Sequence, residues 1–229
     1  MPIFQLDAAF RFPSPHLATE EGLLAVGGDL SLPRLLLAYS MGIFPWFNAD
    51  DPLLWWSPSP RCILDPITFQ PSRSLAKRLR QGLFSVSIDQ AFEPVVRACA
   101  ETPRQGQDGG TWIDARMMTA YRELFSSGFA HSLECWRDGE LMGGLYGIVL
   151  GKCFFGESMF HRQRDASKVA LAHLVDFCRD CGIALIDCQV TSPHLLSLGA
   201  MEVSRGEFMT RLKAAQVDPS PWQTPQKFP

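Results

Sequence analysis

Residues 131–160 constrain the fold more than any other part of the chain. HSLECWR, ELMGGLYGIVL and KCFFGESMF are three consecutive strand-like stretches, with Asp138-Gly139 and Leu150-Gly151 as the turn signals between them. Links this short join strands only as antiparallel hairpins. The period then changes. Residues 165–181 space their apolar side chains as a helix does, and ALIDCQV returns as a strand. Three antiparallel strands, a long helix and a returning strand predict an α+β layer, with helices against a mostly antiparallel sheet.

Upstream, helices are expected at 31–42, 72–80, 89–100 and 114–128. Ser31, Ser72 and Asp114 are candidate N-caps, and Gly42, Gly82 and Gly128 are stops. The rest of residues 12–61 is crowded with Pro, Gly and Trp. It is expected to be irregular, held by packing rather than by strand ladders. A composition shift at residues 61–66 marks a boundary, dividing a small N-terminal α/β domain (residues 1–62) from a catalytic domain (residues 63–229). After the returning strand come a short helix through LLSLGA and an amphipathic piece at 208–212. ETPRQGQDGG reads as a loop delivering Thr111 and Trp112, and PSPWQTPQKFP as an irregular strap.

Composition narrows the function classes. The chain has 229 residues, 46% of them hydrophobic, and a formal charge of −3. No apolar run is long enough to span a membrane, and the N-terminus lacks the order of a secretory signal, so a cytoplasmic protein is expected. Seven cysteines without regular spacing suit reduced thiols. The negative charge argues against coating nucleic acid by bulk electrostatics. However, only five of the 21 basic residues are Lys, and an Arg-rich set favours placed contacts to phosphate or carboxylate.

Most single motifs fail on inspection. Cys178 and Cys181 form a lone CxxC without two further ligands, and the five histidines are scattered, so no metal site is expected. Ser158 lacks the second glycine of a nucleophile elbow. Asp187 and Gln189 are more informative, because alternation puts both on one face of an apolar strand. They form either a structural network or the lining of a cleft. Glu157 poses the same question. Arg162, Arg164 and Lys168 stand where a strand feeds a helix, and with Arg73, Lys77, Arg78 and Arg80 they make a candidate phosphate-binding patch or two solvated helix faces. Trp46, Trp55, Trp56 and Trp112 are either core plugs or stacking platforms for a base.

Taken together, GLLAVGGDLS, LLLAYSMGIFPWF, LLWWSPSPR, GTWI, AHSLECW, GGLYG, FFGESMF, ASKVAL, LIDCQV and SLGA resemble the leucyl/phenylalanyl-tRNA-protein transferase family over residues 10–208. The resemblance implies a GNAT-like catalytic domain behind a small N-terminal domain, which also fits the element order above. It implies transfer of Leu, Phe or, less well, Met from aminoacyl-tRNA to proteins that begin with Arg or Lys. The product would be an N-degron read by the proteolytic machinery. On the same basis Trp46 and Trp112 would hold the 3′-terminal adenosine, Asp187 and Gln189 would be the catalytic acid and amide, and Glu157 would lie near the basic acceptor. The amino-acid side chain would enter a pocket of Leu145, Phe154, Met159, Leu171, Leu174 and Ile186. Two features depart from some relatives: Leu145 and Leu174 replace larger or more flexible residues, and Ser192-Pro193 stands where others carry Asn-Asp.

An aminoacyl ester is already activated, so the reaction needs no cofactor, ATP or metal. Holding ester and amine together supplies about 7–11 kcal/mol. In this reading Gln189 orients the amine and Asp187 polarises it, and the protein works as a monomer. An acetyl-CoA-dependent N-acetyltransferase is the alternative, opposed by the absence of glycine from HRQRDASK. A non-catalytic RNA-binding module would leave Asp187, Gln189 and Glu157 without a task.

Overall fold

A computed structural model describes residues 3–103 and 112–215. The elements follow in the order β1 (Phe4–Leu6), β2 (Leu23–Gly27), α1 (Leu32–Ser40), β3 (Phe44–Pro45), β4 (Leu54–Trp56), β5 (Arg61–Leu64), α2 (Arg73–Gln81), β6 (Ser85–Ile88), α3 (Phe92–Glu101), α4 (Ala115–Ser126), β7 (Ala130–Arg137), β8 (Glu140–Leu150), β9 (Cys153–His161), α5 (Ala166–Asp180), β10 (Leu185–Gln189), α6 (Pro193–Ser197), β11 (Met201–Val203) and α7 (Arg205–Ala214).

The hairpin-linked stretches form the middle of a seven-stranded sheet ordered β11-β5-β10-β9-β8-β7-β6. Every pairing in it is antiparallel except β9 with β10. A parallel pair needs a crossover, and α5 provides it. The expected α+β class therefore holds. Ser72, Asp114, Ser192 and Ser204 cap their helices by accepting from backbone N–H groups of the first turn.

Two expectations need correction. The N-terminal region is not held by packing alone, because β1, β2, β4 and β3 form a four-stranded sheet. Its strands are only two to five residues long, too short for alternation to show. Trp55 is buried in it and donates from Nε1 to Gly27 O at 2.9 Å. The third helix begins at Phe92 rather than Asp89. Asp89 adopts φ +57° and turns its carboxylate to Ser132 N (2.8 Å) and His131 Nδ1 (2.7 Å), so a tertiary contact holds it outside the helix. The expected loop at 101–110 lies mostly, and the strap at 219–229 wholly, outside the described residues, as does Thr111.

Two apolar clusters sit on the two faces of the large sheet. The larger joins the small sheet, α1, α3, α4 and α7 to Ile63, Tyr146 and Phe155, while the smaller lies under α5 and α2. Strand β5 crosses the expected domain boundary, since Arg61 and Cys62 pair within the large sheet.

Candidate active site

Two β-bulges shape the polar face of the sheet. On β9, Tyr146 pairs with Ser158 and Gly147 with Gly156, so Glu157 is an extra residue with no opposite number on β8. On β10, Asp187 pairs with Ile63 and Gln189 with Cys62, so Cys188 is extra. A bulge bends the strand and re-aims the side chains around it. Gln189 takes φ +63°, a left-handed conformation that costs an L residue about 1–3 kcal/mol.

Glu157 is the hub. Its Oε1 accepts from Tyr39 OH and Gln189 Nε2, both at 2.9 Å, and its Oε2 accepts from Tyr121 OH. The two tyrosine oxygens are 3.4 Å apart. Tyr39 comes from α1, Tyr121 from α4, Glu157 from β9 and Gln189 from β10, so two helices and two strands of the large sheet contribute. Burial raises the Glu157 carboxyl to about 7, partly opposed by the three hydrogen bonds and reinforced by the charge of Asp187. Burial, with Glu157 alongside, pushes both tyrosines well above their usual range, so their hydroxyls remain donors.

Asp187 lies behind this cluster and is fully buried. Arg61 donates from Nε to Oδ1 (2.8 Å) and from Nη2 to Oδ2 (2.6 Å), and Gln189 N donates to Oδ1 at 2.9 Å. Asp187 and Gln189 do share a face, but only Gln189 reaches Glu157. Both Asp187 oxygens are engaged by protein groups.

The six apolar residues come together on the opposite face. Leu145, Phe154, Leu171, Leu174 and Ile186 belong to the cluster under α5, with Met159 packed against it. Leu145 is the cross-strand partner of Met159, and Phe154 that of Ile186. Gly156, just before Glu157, adjoins both sets: a Cβ there would be in ordinary van der Waals contact with Phe154 Cε1 (3.8 Å) and Asp187 O (3.6 Å).

Trp46 is 37% exposed and Trp112 is buried. Arg116, just after the Asp114 cap, stacks 4.6 Å over Phe47 and donates to Ala49 O at 3.2 Å. This contact ties the start of α4, close after Trp112, to the segment that follows Trp46. The two basic stretches also meet: Asp165 lies 3.1 Å from Arg78, 3.4 Å from Lys168 and 3.8 Å from Arg164. Arg73, Lys77 and Arg80, also on α2, are exposed. Arg162 packs 5.7 Å over Phe160. No cluster of three or more metal-ligating residues occurs among the described residues. Burial pushes up the thiols of Cys178 and Cys181. No described helix is long and apolar enough to cross a membrane.

Sequence reasoning missed Tyr39, Tyr121 and Arg61 as site residues. The tyrosines read as inward-facing helix positions. A buried Tyr must place its hydroxyl, and that was the available signal. Arg61 opens the apolar run RCIL, where a buried cation needs an acid partner.

The sequence model of the leucyl/phenylalanyl-tRNA protein transferase family matches residues 63–213, and that of its N-terminal domain matches residues 28–59. The chain belongs to this family. It is 58% identical over 229 residues to the leucyl/phenylalanyl-tRNA–protein transferase of Syntrophotalea carbinolica, covering 100% of this chain and 99% of that one. Among solved structures, L-PGS from Bacillus licheniformis overlaps 74% of the chain and 54% of its own at TM-score 0.42 and 10% identity. A GCN5-related N-acetyltransferase-like protein from Streptococcus suis overlaps 71% and 60% at TM-score 0.38 and 12% identity. As a member of the leucyl/phenylalanyl-tRNA–protein transferase family the chain is an enzyme, and the polar cluster around Glu157 is its candidate active site.

Proposed function

We propose that this transferase moves Leu or Phe, and less readily Met, from the 3′ end of aminoacyl-tRNA to the α-amino group of proteins beginning with Arg or Lys. It acts as a monomer in the cytoplasm without cofactor or metal, and its product is an N-degron. The observation that carries the reading is a buried carboxyl, Glu157, tuned to about 7 and bonded to the amide of Gln189. A general base is most effective when its affinity for protons matches the working pH.

Trp46 and Trp112 hold the terminal adenosine, and the amino-acid side chain passes between β9 and β10 beyond their last pair, Phe155 with Asp187, to enter between Leu145, Phe154, Met159, Leu171, Leu174 and Ile186 on the other face. Gln189 orients the acceptor amine. The neutral amine attacks the ester carbonyl, the new C–N bond forms, and the bond to the ribose 3′-oxygen breaks. Glu157 takes the proton from the amine and returns it to that oxygen. Asp187 supports Gln189 from behind, since its two oxygens are already committed to Arg61 and to Gln189 N. Arg73, Lys77, Arg78, Arg80, Arg162 and Arg164 meet tRNA phosphates without reading bases, as an enzyme accepting several tRNAs requires.

In this scheme residues 1–62 and 63–229 are functional parts that share one site, since Tyr39 of the first bonds Glu157 of the second. The N-acetyltransferase alternative gains no support from the turn before α5. There Arg162 N and Gln163 N both donate to Met142 O, and Ala166 N donates to Gln163 O, so these amides are turned away from any pyrophosphate.

The test is transfer of labelled Leu from Leu-tRNA to peptides differing only at residue 1. Transfer to Arg and Lys but not Ala is expected. Absence of transfer to all three, or equal transfer to Ala, refutes the reading.

A further inference from the structure

Arg61 is an unusual residue to find at the centre of this molecule. Its side chain is 1% exposed and faces Asp187, which is 0% exposed. The guanidinium lies 4.9 Å from the ring centre of Phe44 on β3 and 4.4 Å from that of Phe208 on α7. One side chain thus joins the small sheet, the last described helix and the strand that carries Gln189. Among the described residues its Nη1 has no acceptor. Buried ion pairs are commonly replaceable by well-packed apolar residues without loss of stability, so packing alone does not call for this pair.

What the pair does is visible in the next two residues. Asp187 receives both Arg61 donors, and with Oδ1 it also accepts the N–H of Gln189 two positions on. That bond spans the extra residue Cys188 and closes the bulge. It holds Gln189 at φ +63°, from where Nε2 reaches Glu157 at 2.9 Å. Without a fixed acceptor for its N–H, Gln189 has no reason to keep a conformation that L residues rarely adopt. We propose that Arg61 is a positioning residue of the transfer reaction: it clamps Asp187 so that the bulge at Cys188 aims Gln189 at Glu157. The inference rests on the reading of Gln189 and Glu157 as the groups that meet the amine. Arg61 itself touches neither substrate.

Arg61→Lys keeps the charge and the aliphatic stem but cannot offer the two-pronged clamp. Single-turnover transfer from Leu-tRNA to an Arg-initiated peptide is expected to slow at least tenfold, with little change in aminoacyl-tRNA affinity. In a Gln189→Ala background the same change is expected to cost less than threefold, because the step it serves is already gone. The double variant Arg61→Leu, Asp187→Leu replaces the pair instead of breaking it. If the pair serves only stability, this variant melts near the wild type and transfers within threefold of it, and either that result or additive losses in the Gln189→Ala background overturns the proposal. A crystal structure of Arg61→Lys gives a readout independent of activity. There Gln189 is expected to leave the left-handed φ and to part from Glu157, and an unchanged 2.9 Å separation refutes the positioning role even if the wild type proves to transfer nothing.

Discussion

Replacing Glu157 by Gln isolates the ionisation on which the proposed chemistry depends. The amide has the same shape. Its oxygen can accept from Tyr39 and Gln189, and its nitrogen can donate to the Tyr121 hydroxyl, so the network survives without the charge. Burial raises this carboxyl from 4.5 to about 7. At about 1.4 kcal/mol per unit, the charged form costs the folded protein on the order of 3 kcal/mol. The sign follows from proton counting. Between pH 4.5 and about 7 the folded state holds a proton that the unfolded state has released, so stability falls as pH rises through that window and levels off above it. The Glu157→Gln variant carries no such penalty. Its melting temperature minus that of the wild type is therefore expected to climb between about pH 5 and 7.5. At about 2–4 °C per kcal/mol for a chain of this size, the climb is roughly 6–12 °C. Taking the difference cancels the other titrating groups. The same variant should lose about 10²–10⁴-fold in transfer rate if the carboxylate accepts the amine's proton, and wild-type transfer should rise through an inflection near about pH 7. A melting difference flat within about 2 °C from pH 5 to 8.5 refutes the electrostatic argument. Transfer within about threefold of wild type at pH 8 refutes the proton-accepting role.

Trp46→Ala should cost some stability, because the ring packs on Trp56 with ring centres 5.8 Å apart, and in the folded variant should raise KM for aminoacyl-tRNA roughly 5–150-fold, the worth of about 1–3 kcal/mol of base stacking, with kcat little changed. Replacing Arg73, Lys77 and Arg80 by Ala should weaken tRNA binding and reduce the slope of log K against log salt by roughly 0.7–0.9 for each phosphate no longer neutralised; an unchanged slope makes α2 a solvated face. Leu174→Ala should destabilise the cluster under α5 by about 2–5 kcal/mol in a denaturant titration. It should also shift transfer toward Phe over Leu by up to roughly tenfold in a competition assay, the scale of one or two methylenes.

The elements legible in the sequence were those whose signal is carried by many residues. Strand β8 has eleven residues and α5 fifteen, and both emerge from periodicity and turn chemistry within a residue or two. The small sheet did not emerge. Its strands are short, and β1 meets β2 in a parallel pairing about twenty residues along the chain, which no local pattern announces. The same distinction runs through the site. Asp187 and Gln189 were visible because polar groups on an apolar strand must be satisfied somewhere. Their partners were not, since Arg61 lies 126 residues from Asp187, and Tyr39 lies 118 from Glu157.

The bulge on β9 explains why Glu157, visible in the sequence as a polar residue on an apolar strand, becomes the hub of the site. On β9, Cys153 and Phe155 belong to the larger cluster and Phe154 to the one under α5, which is simple alternation. Past Glu157 the phase slips. Phe160 is again in the larger cluster and Met159 against the smaller, so even-numbered residues now face where odd ones did. A regular strand would have to put either Phe155 or Phe160 on the wrong face. The extra residue resolves that conflict, and it leaves at the point of slippage a carboxyl unconstrained by cross-strand pairing, free to gather Tyr39, Tyr121 and Gln189. Sequence shows the conflict only if one asks whether a single register can satisfy FFGESMF at both ends. It cannot, and the residue at which it fails is the one around which the candidate active site is built.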